Sequence, residues 1–465
     1  MNDIVKLKIL NITSDGAGIA RTEQGVVFVQ RALPGEIITA KIFERHKDFA
    51  LAKIIEINQP HPERVKPKCE HYYKCGGCQL QHASYNLQLE LKAMIVKDAM
   101  TRLGGFDADL FKDLKCVASP NSWGYRNKAA FPVQAMQAMQ GVKQKQKFIT
   151  GFYRAGTHRI EPIKSCPVNA EALNKIYESI LKGLNDLALD GYNEADNTGK
   201  LRHIIMRTGI NTGQNLLSFV INGKLSAKAI KSLIALGNKT SPDTITLNHN
   251  SRPGNTILGS HTESILNNGI IAERLDNYTL NFDTASFFQV NTLQAENLFK
   301  YASSLVLDCK PCGNEHKDIN ILELYSGVGS LTCYLAGLAP DIKVTSIEDW
   351  RGAVKMAERN LKLNNLGGKV SALCGKSEEL INDLELRDFD AVVMDPPRDG
   401  CNRAVLNAIR DMNIKKIIYV SCNPATLARD CKILAGFNYK LKSLKAFDMF
   451  PQTAHVESVA LMALD

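Results

Sequence analysis

The chain has 465 residues, about three times the length of a domain with one hydrophobic core, so two or three domains are expected. Hydrophobic residues at 45% and charged residues at 23%, with no Gly or Pro excess, exclude a disordered, collagenous or fibrous chain and a small stapled scaffold. The 57 Lys and Arg against 48 Asp and Glu leave a net charge of +9, a modest excess that suits a polyanionic partner without specifying one. No run approaches the roughly 18 apolar residues of a membrane span, and Met1-Asn2-Asp3-Ile4-Val5-Lys6 lacks a secretory layout, so a cytoplasmic protein is expected. In that compartment the 12 cysteines are expected as metal ligands, nucleophiles or core filler rather than as disulfides.

Residues 1–58 alternate apolar and polar positions in short runs such as Val5-Lys6-Leu7-Lys8-Ile9 and Gly25-Val26-Val27-Phe28-Val29, which predicts a small antiparallel β-barrel. A Pro-containing linker over 61–67 leads into a central α+β domain, 59–285, with a helix at 87–103 and strands at 128–133 and 147–153. The Gln/Met/Lys-rich segment 134–146 between those strands reads as a hairpin tip or loop with no chemistry assigned. From 286 to 465 short apolar strands at 319–324, 343–347, 369–374, 391–394 and 416–420 alternate with helical segments, which predicts an α/β domain with a doubly wound parallel sheet. Two last runs, near 440–447 and 456–464, are expected to add an antiparallel hairpin at its edge.

The first strand of that domain runs into Glu323-Leu324-Tyr325-Ser326-Gly327-Val328-Gly329-Ser330, where glycines at a helix start let a ligand approach the backbone. It lacks the full dinucleotide fingerprint and the P-loop lysine, which weakens NAD and ATP as ligands. About twenty residues on, Glu348 ends the second strand, where a carboxylate can grip a ribose. An adenosyl ligand fits this pair, and S-adenosylmethionine fits best. The fourth strand ends in Asp395-Pro396-Pro397-Arg398 and the fifth in Ser421-Cys422-Asn423-Pro424, so Tyr325, Glu348, Asp395 and Cys422 are expected along one carboxyl edge.

Cys422 suits one reaction in particular. Carbon 5 of a pyrimidine becomes nucleophilic once a thiolate adds at carbon 6, and a base must later remove the carbon 5 proton. Glu457, in His455-Val456-Glu457-Ser458, is the candidate base. A buried structural Cys422 and a surface Glu457 are the plainer alternatives.

Together these residues resemble the bacterial RNA uracil-5 methyltransferases, which act on 23S ribosomal RNA and on the transfer-RNA T loop. Phe287-Phe288-Gln289-Val290-Asn291, the Tyr325–Ser330 turn, Asp395-Pro396-Pro397-Arg398, Ser421-Cys422-Asn423-Pro424 and His455-Val456-Glu457-Ser458 occur in family order over nearly the whole chain. The resemblance implies a Rossmann-like methyltransferase domain in which Gln289, Tyr325, Glu348 and Asp395 line the S-adenosylmethionine site, Cys422 is the nucleophile and Glu457 the base. It also places the Tyr125-Arg126-Asn127-Lys128 stretch, and with it Arg126, near the target base; Ser330 departs from the Asn often found in relatives of the ribosomal-RNA enzyme. Residues 1–58 resemble the TRAM domain, an RNA-binding barrel of the oligonucleotide-binding type. There Lys6, Lys8, Arg21, Arg31, Lys41, Arg45 and Lys47 would supply charge, and Phe28 and Phe43 stacking surfaces; solvated lysines and core phenylalanines are the bland alternative.

Cys69, Cys75 and Cys78, with Cys166-Pro167 far downstream, have the arrangement expected for a [4Fe-4S] cluster, with zinc on four thiolates as the alternative. The resemblance favours the cluster, in a structural or RNA-organising role, since methyl transfer needs no electron. Cys309 and Cys312 form an isolated C-x-x-C read as an insertion loop without metal, and Cys116, Cys333, Cys374, Cys401 and Cys431 are expected as packing residues.

The expected function is therefore S-adenosylmethionine-dependent methylation of carbon 5 of a uridine in 23S ribosomal RNA. The alternatives are a transfer-RNA T-loop enzyme and a non-catalytic iron-sulfur RNA-binding protein. No protein partner is implied, and a monomer is the default.

Overall fold

A computed structural model describes residues 3–136, 147–187, 189–307, 318–384 and 388–464. Cys309, Cys312 and most of the Gln/Met/Lys-rich segment, 137–146, lie outside the described residues.

The N-terminal unit contains β1 (Ile4–Lys8), β2 (Asn11–Ile12), β3 (Ala17–Thr22), β4 (Gly25–Gln30), β5 (Ile37–Arg45) and β6 (Phe49–Gln59), in the order β1-β5-β6-β4-β3-β2. Because β1 and β2 are successive pieces of one bent strand, pairing with β5 at one end and β3 at the other closes the sheet on itself. Alternating residues such as Leu7, Val27, Val29, Ile38, Ala40 and Ala52 fill its interior.

The next elements break the expected boundary. The helix α1 (Tyr85–Arg102), capped by the Ser84 hydroxyl accepting the Leu87 N–H, and the short β7 (Cys116–Val117) fall within the 59–285 span assigned to the central domain. They pack instead on the C-terminal domain: Leu87, Leu91, Ile95 and Met100 join one core with Leu427, Cys431 and Met462.

The central sheet is built from β8 (Lys128–Ala135), β9 (Phe148–Tyr153), β10 (Ile160–Pro162), β11 (Leu201–Thr208), β12 (Asn215–Ile221), β13 (Thr244–His249) and β14 (His261–Leu266). Its order is β10-β9-β8-β11-β12-β13-β14, with α2 (Glu171–Gly183) and α3 (Ala227–Asn238) supplying Leu173, Ile176, Tyr177 and Leu233 to its core. The hairpin β15 (Ile271–Leu275) and β16 (Tyr278–Phe282) again crosses the expected boundary at 285, since Ile271, Leu280 and Phe282 pack with residues of the C-terminal sheet.

The C-terminal domain runs α4 (Thr292–Leu307), β17 (Ile319–Leu324), α5 (Ser330–Gly337), β18 (Ile342–Glu348), α6 (Arg351–Leu363), β19 (Val370–Cys374), α7 (Ser377–Leu380), β20 (Ala391–Met394), α8 (Arg403–Asp411), β21 (Lys416–Ser421), α9 (Pro424–Ala435), β22 (Lys440–Phe447) and β23 (Glu457–Ala463). The order β19-β18-β17-β20-β21-β23-β22-β7 is parallel through β21 and is completed by the antiparallel β23. The order reverses between β17 and β20, the place where ligands bind in doubly wound sheets. Two cores, one on each face, enclose the sheet, with Leu322 and Leu324 facing one and Ile321 the other.

Candidate functional site

Strand register places the candidate groups side by side. Leu324 pairs with Ile347 on β18 and with Met394 on β20, so Tyr325, Glu348 and Asp395 each follow or end neighbouring strands. Ser421 pairs with Ser458, which puts Cys422, one residue on, across from Glu457. The helix signal then locks the Cys422 turn: the Asn423 side chain accepts the Ala425 N–H and Pro424 opens α9. Asn423 Nδ2 also donates to the Arg398 carbonyl at 3.0 Å, joining this turn to the one that carries Asp395.

Gln289, Tyr325 and Asp395 line one cleft with Phe287, Glu323 and Gly327. Tyr325 holds a φ of 64°, a left-handed conformation that costs a non-glycine residue energy and concentrates at functional sites. Gly327, with φ 57°, has open space where a Cβ would stand, leaving bare backbone for a ligand. Glu348 does not itself line the cleft, but its carboxylate oxygens accept the Gly327 and Trp350 N–H groups, each at 2.9 Å. Each oxygen keeps a second lone pair. This cradle, acid at the strand end and exposed backbone at the helix start, fits an adenosyl ligand.

The electrostatics run from that cleft to the cysteine. Burial raises the Asp395 carboxyl, and burial together with the Asp395 charge raises that of Glu457. Cys422 is pushed up to about 11 by burial and by the Glu457 and Asp395 charges, against the pull of Arg398. Asp395 therefore belongs to both the ligand cleft and the Cys422–Glu457 pair. His455 is lowered to about 4 by burial and by Arg398, so it stands neutral beside them.

The four cysteines also come together. Cys69, Cys75, Cys78 and Cys166 line one cavity of about 870 Å³, shared with Arg31, Arg126 and Arg154. The Gly77 N–H points at the Cys75 sulfur at 3.4 Å. Four thiols on one cavity are a donor set that either a cubane, with one thiolate per iron, or a single zinc ion could use.

A family model described as tRNA (Uracil-5-)-methyltransferase matches residues 84–464, and a TRAM domain model matches residues 2–55. The chain belongs to the tRNA (uracil-5-)-methyltransferase family. It is thus an S-adenosylmethionine-dependent RNA uracil-5 methyltransferase with an N-terminal TRAM domain. An RNA methyltransferase of Staphylococcus epidermidis is 34% identical over 464 residues, covering 99% of this chain and 97% of the relative. One of Staphylococcus aureus is 34% identical over 469 residues, covering 100% and 98%. The tRNA (uracil-54, C5)-methyltransferase of Pyrococcus abyssi, solved with S-adenosyl-L-homocysteine, superposes with a TM-score of 0.75 at 27% identity, covering 99% of this chain and 100% of that one.

Within this family member, several residues escaped the sequence reading. Glu323 is fully buried on β17 with one carboxylate oxygen unpartnered, and burial pushes it up to about 8. Its signal was present, as the acid opening the glycine turn. Asn127 was read only as part of the Tyr125–Lys128 stretch: its side chain donates to the Gln289 carbonyl at 2.9 Å and to the Thr292 hydroxyl at 3.0 Å, while Gly124 and Arg126 donate to Pro167 and Val168 beside Cys166. Arg126 lines the cysteine cavity rather than the cleft. Cys374 corrects an expectation: it is exposed at the end of β19, whereas Cys116, Cys333, Cys401 and Cys431 are buried as packing residues. On the barrel, Phe43 is exposed beneath the Lys53 ammonium, and Phe28 packs edge-on against Phe49.

Proposed function

We propose that the enzyme methylates carbon 5 of a uridine in 23S ribosomal RNA through a covalent Cys422 adduct. The observation that supports the covalent chemistry in this reading is the position of Asp395, which lines the ligand cleft and lies at the same sheet edge as Cys422 and Glu457. Bound S-adenosylmethionine supplies an electrophilic methyl group there, with Gln289, Tyr325, Glu348 and Asp395 as its proposed contacts.

The chain's own residues do the rest. Cys422 adds at carbon 6 of the uracil, its proton passing to a neighbouring carboxylate, and the ring electrons move to carbon 5, which takes the methyl group as the donor's sulfur–methyl bond breaks and S-adenosylhomocysteine leaves. Glu457, raised by burial, is a strong enough base to take the carbon 5 proton. The Cys422–carbon 6 bond then breaks, restoring the ring and the thiolate. Half-buried Cys422 can reach carbon 6 while the methyl donor reaches carbon 5 only if the base leaves its stack.

A [4Fe-4S] cluster on Cys69, Cys75, Cys78 and Cys166 is part of the proposal, as an organiser of the loops around the site. The cavity that all four cysteines line supports one shared group, and a cubane uses one thiolate per iron. A T-loop uridine of transfer RNA is the second reading, favoured by the full-length likeness to the Pyrococcus abyssi transfer-RNA enzyme. The test is to give the anaerobically purified protein S-adenosylmethionine with unmodified 23S ribosomal RNA and unmodified transfer RNA in parallel, mapping 5-methyluridine by mass spectrometry. Product on ribosomal RNA alone upholds the substrate; product on transfer RNA alone overturns it and keeps the chemistry. Glu457→Gln should accumulate a methylated protein–RNA adduct, and turnover at the wild-type rate in that variant would sink the role given to Glu457.

A further inference from the structure

Far from the catalytic edge, a second set of metal-ligating side chains stands on the central sheet. His249 ends β13 and His261 opens β14, and the two residues are direct cross-strand partners. Glu263, two residues on, shares the His261 face of the strand. One ligand atom from each of the three lies within 4.8 Å of the others. Small rotations of two half-exposed side chains bring such a set to the bond lengths of a transition-metal ion.

The His249 ring makes the case for a cation. Its Nδ1 faces the Gly223 carbonyl at 3.3 Å and its Nε2 faces a Glu263 oxygen at 2.8 Å. Both ring nitrogens thus look at acceptors, and a neutral imidazole has only one N–H to give. With its one N–H given to the Gly223 carbonyl, the ring turns the Nε2 lone pair toward the Glu263 carboxylate, a pair of donors that a metal ion would bridge. That is the usual arrangement for a ligating histidine, whose far nitrogen donates to a backbone carbonyl that fixes tautomer and ring plane.

The scaffold around the three ligands is held in place. Asn248 donates to the Gly259 and His261 carbonyls and accepts the Gly259 N–H. Gly259 lies so close that a Cβ there would stand 1.8 Å from the His249 carbonyl oxygen. The segment 250–260 between the two histidines has Gly254, Asn255 and Ile257 lining the four-cysteine cavity. A metal ion at its neck would pin the loop that reaches that cavity.

We propose that His249, His261 and Glu263 bind a divalent transition cation, zinc by its match to a two-imidazole, one-carboxylate set, with a fourth coordination position left open. The test is calorimetric titration of zinc chloride into the anaerobically purified full-length protein, beside His261→Ala, Glu263→Gln and, as a control for the exposed thiol, Cys374→Ala. One zinc site should weaken more than about tenfold, the loss that even an outer-shell partner costs, in the first two variants and persist in the third. Zinc should also slow amide exchange across 250–260 in the wild type and not in His261→Ala. Equal melting temperatures without zinc show that the variants fold. Identical titrations for wild type and His261→Ala, or amide exchange across 250–260 that zinc leaves unchanged in the wild type, overturn the proposal.

Discussion

The carboxyl edge of the C-terminal sheet and the four-cysteine cavity both gather residues far apart in sequence, but they are held differently. At the edge each candidate group stands on a strand end or within two residues of one, so ladder register fixes Tyr325, Glu348, Asp395, Cys422 and Glu457 together. The cysteines stand on irregular chain held by a scatter of local bonds rather than a ladder, among them Cys69 N–H to the Gln81 side chain at 3.1 Å, Cys166 N–H to the Asn174 side chain at 2.9 Å, and Gly76 N–H to the Tyr153 carbonyl at 3.0 Å. A site on strands tolerates the loss of one contact, whereas a site on loops depends on a few cross-links or on a group that bonds all its segments at once.

The sharpest break in that comparison is chemical. Cys422→Ala should lower turnover by roughly four orders of magnitude, as loss of a nucleophile does, and leave the melting temperature nearly unchanged because the strands still fix the edge. The remaining wild-type rate should rise with pH between about 6 and 9. The reason is that Glu457 accepts a proton only once ionised, and the Cys422 thiol, at about 11, yields more thiolate with each unit. Rapid-quench kinetics measure both; a rate that falls over this range would exclude the pair as base and nucleophile.

The loops predict the opposite balance. The loop that leads to Glu457 is tied to the N-terminal half by the fully buried Lys92–Asp448 ion pair, by Lys92 Nζ donating to the Phe450 carbonyl at 3.0 Å, and by the Gln79 and Leu80 N–H groups on the Gln452 carbonyl. Lys92→Ala leaves the buried Asp448 carboxyl without its cation, so denaturant unfolding should show a loss of about 3–5 kcal/mol. The double variant Lys92→Met with Asp448→Asn should recover most of it. No recovery would place the loss in packing rather than charge.

A smaller effect tests the other tie. Asn127→Ala leaves the Gln289 carbonyl and the Thr292 hydroxyl without their donor, a cost of about 1–3 kcal/mol, and loosens the stretch joining Cys166's loop to Gln289. The KM for S-adenosylmethionine should rise while capture of RNA by Cys422 persists. An unchanged KM would separate the two regions.

What could be read from the sequence follows the same division. Strand ends bearing Glu348, Asp395 and Cys422 announce themselves because alternation of strand and helix fixes a parallel sheet, and a parallel sheet has one ligand edge. The barrel over 1–58 was legible from period-two runs. The partner of α1 was not: a repeat at three and four reveals an apolar face and not what it meets, so Leu91 and Ile95 went to the central domain when they pack on α9. The 271–282 hairpin was misassigned for the same reason. Asn127 carries no pattern at all, and His249 with His261 becomes a pair only through strand register.

Glu323 gives the finest test, because it weighs the rigid edge against itself. In the unfolded chain its carboxyl ionises near the ordinary value of 4.5, but in the folded protein burial holds it up to about 8. Below the unfolded value both states carry the proton and the side chain costs nothing in charge. As pH climbs past it the unfolded state gains the ionised form first, so the stability is lost progressively until the folded group ionises near 8. Glu323→Gln removes that penalty. In ligand-free protein the variant should match wild type near pH 4 and melt a few degrees higher at pH 8, with the difference growing between those values. A constant offset at every pH would mean that Glu323 is ionised in the fold, with a counter-charge at the unpartnered oxygen, and that the edge is polarised before any ligand arrives.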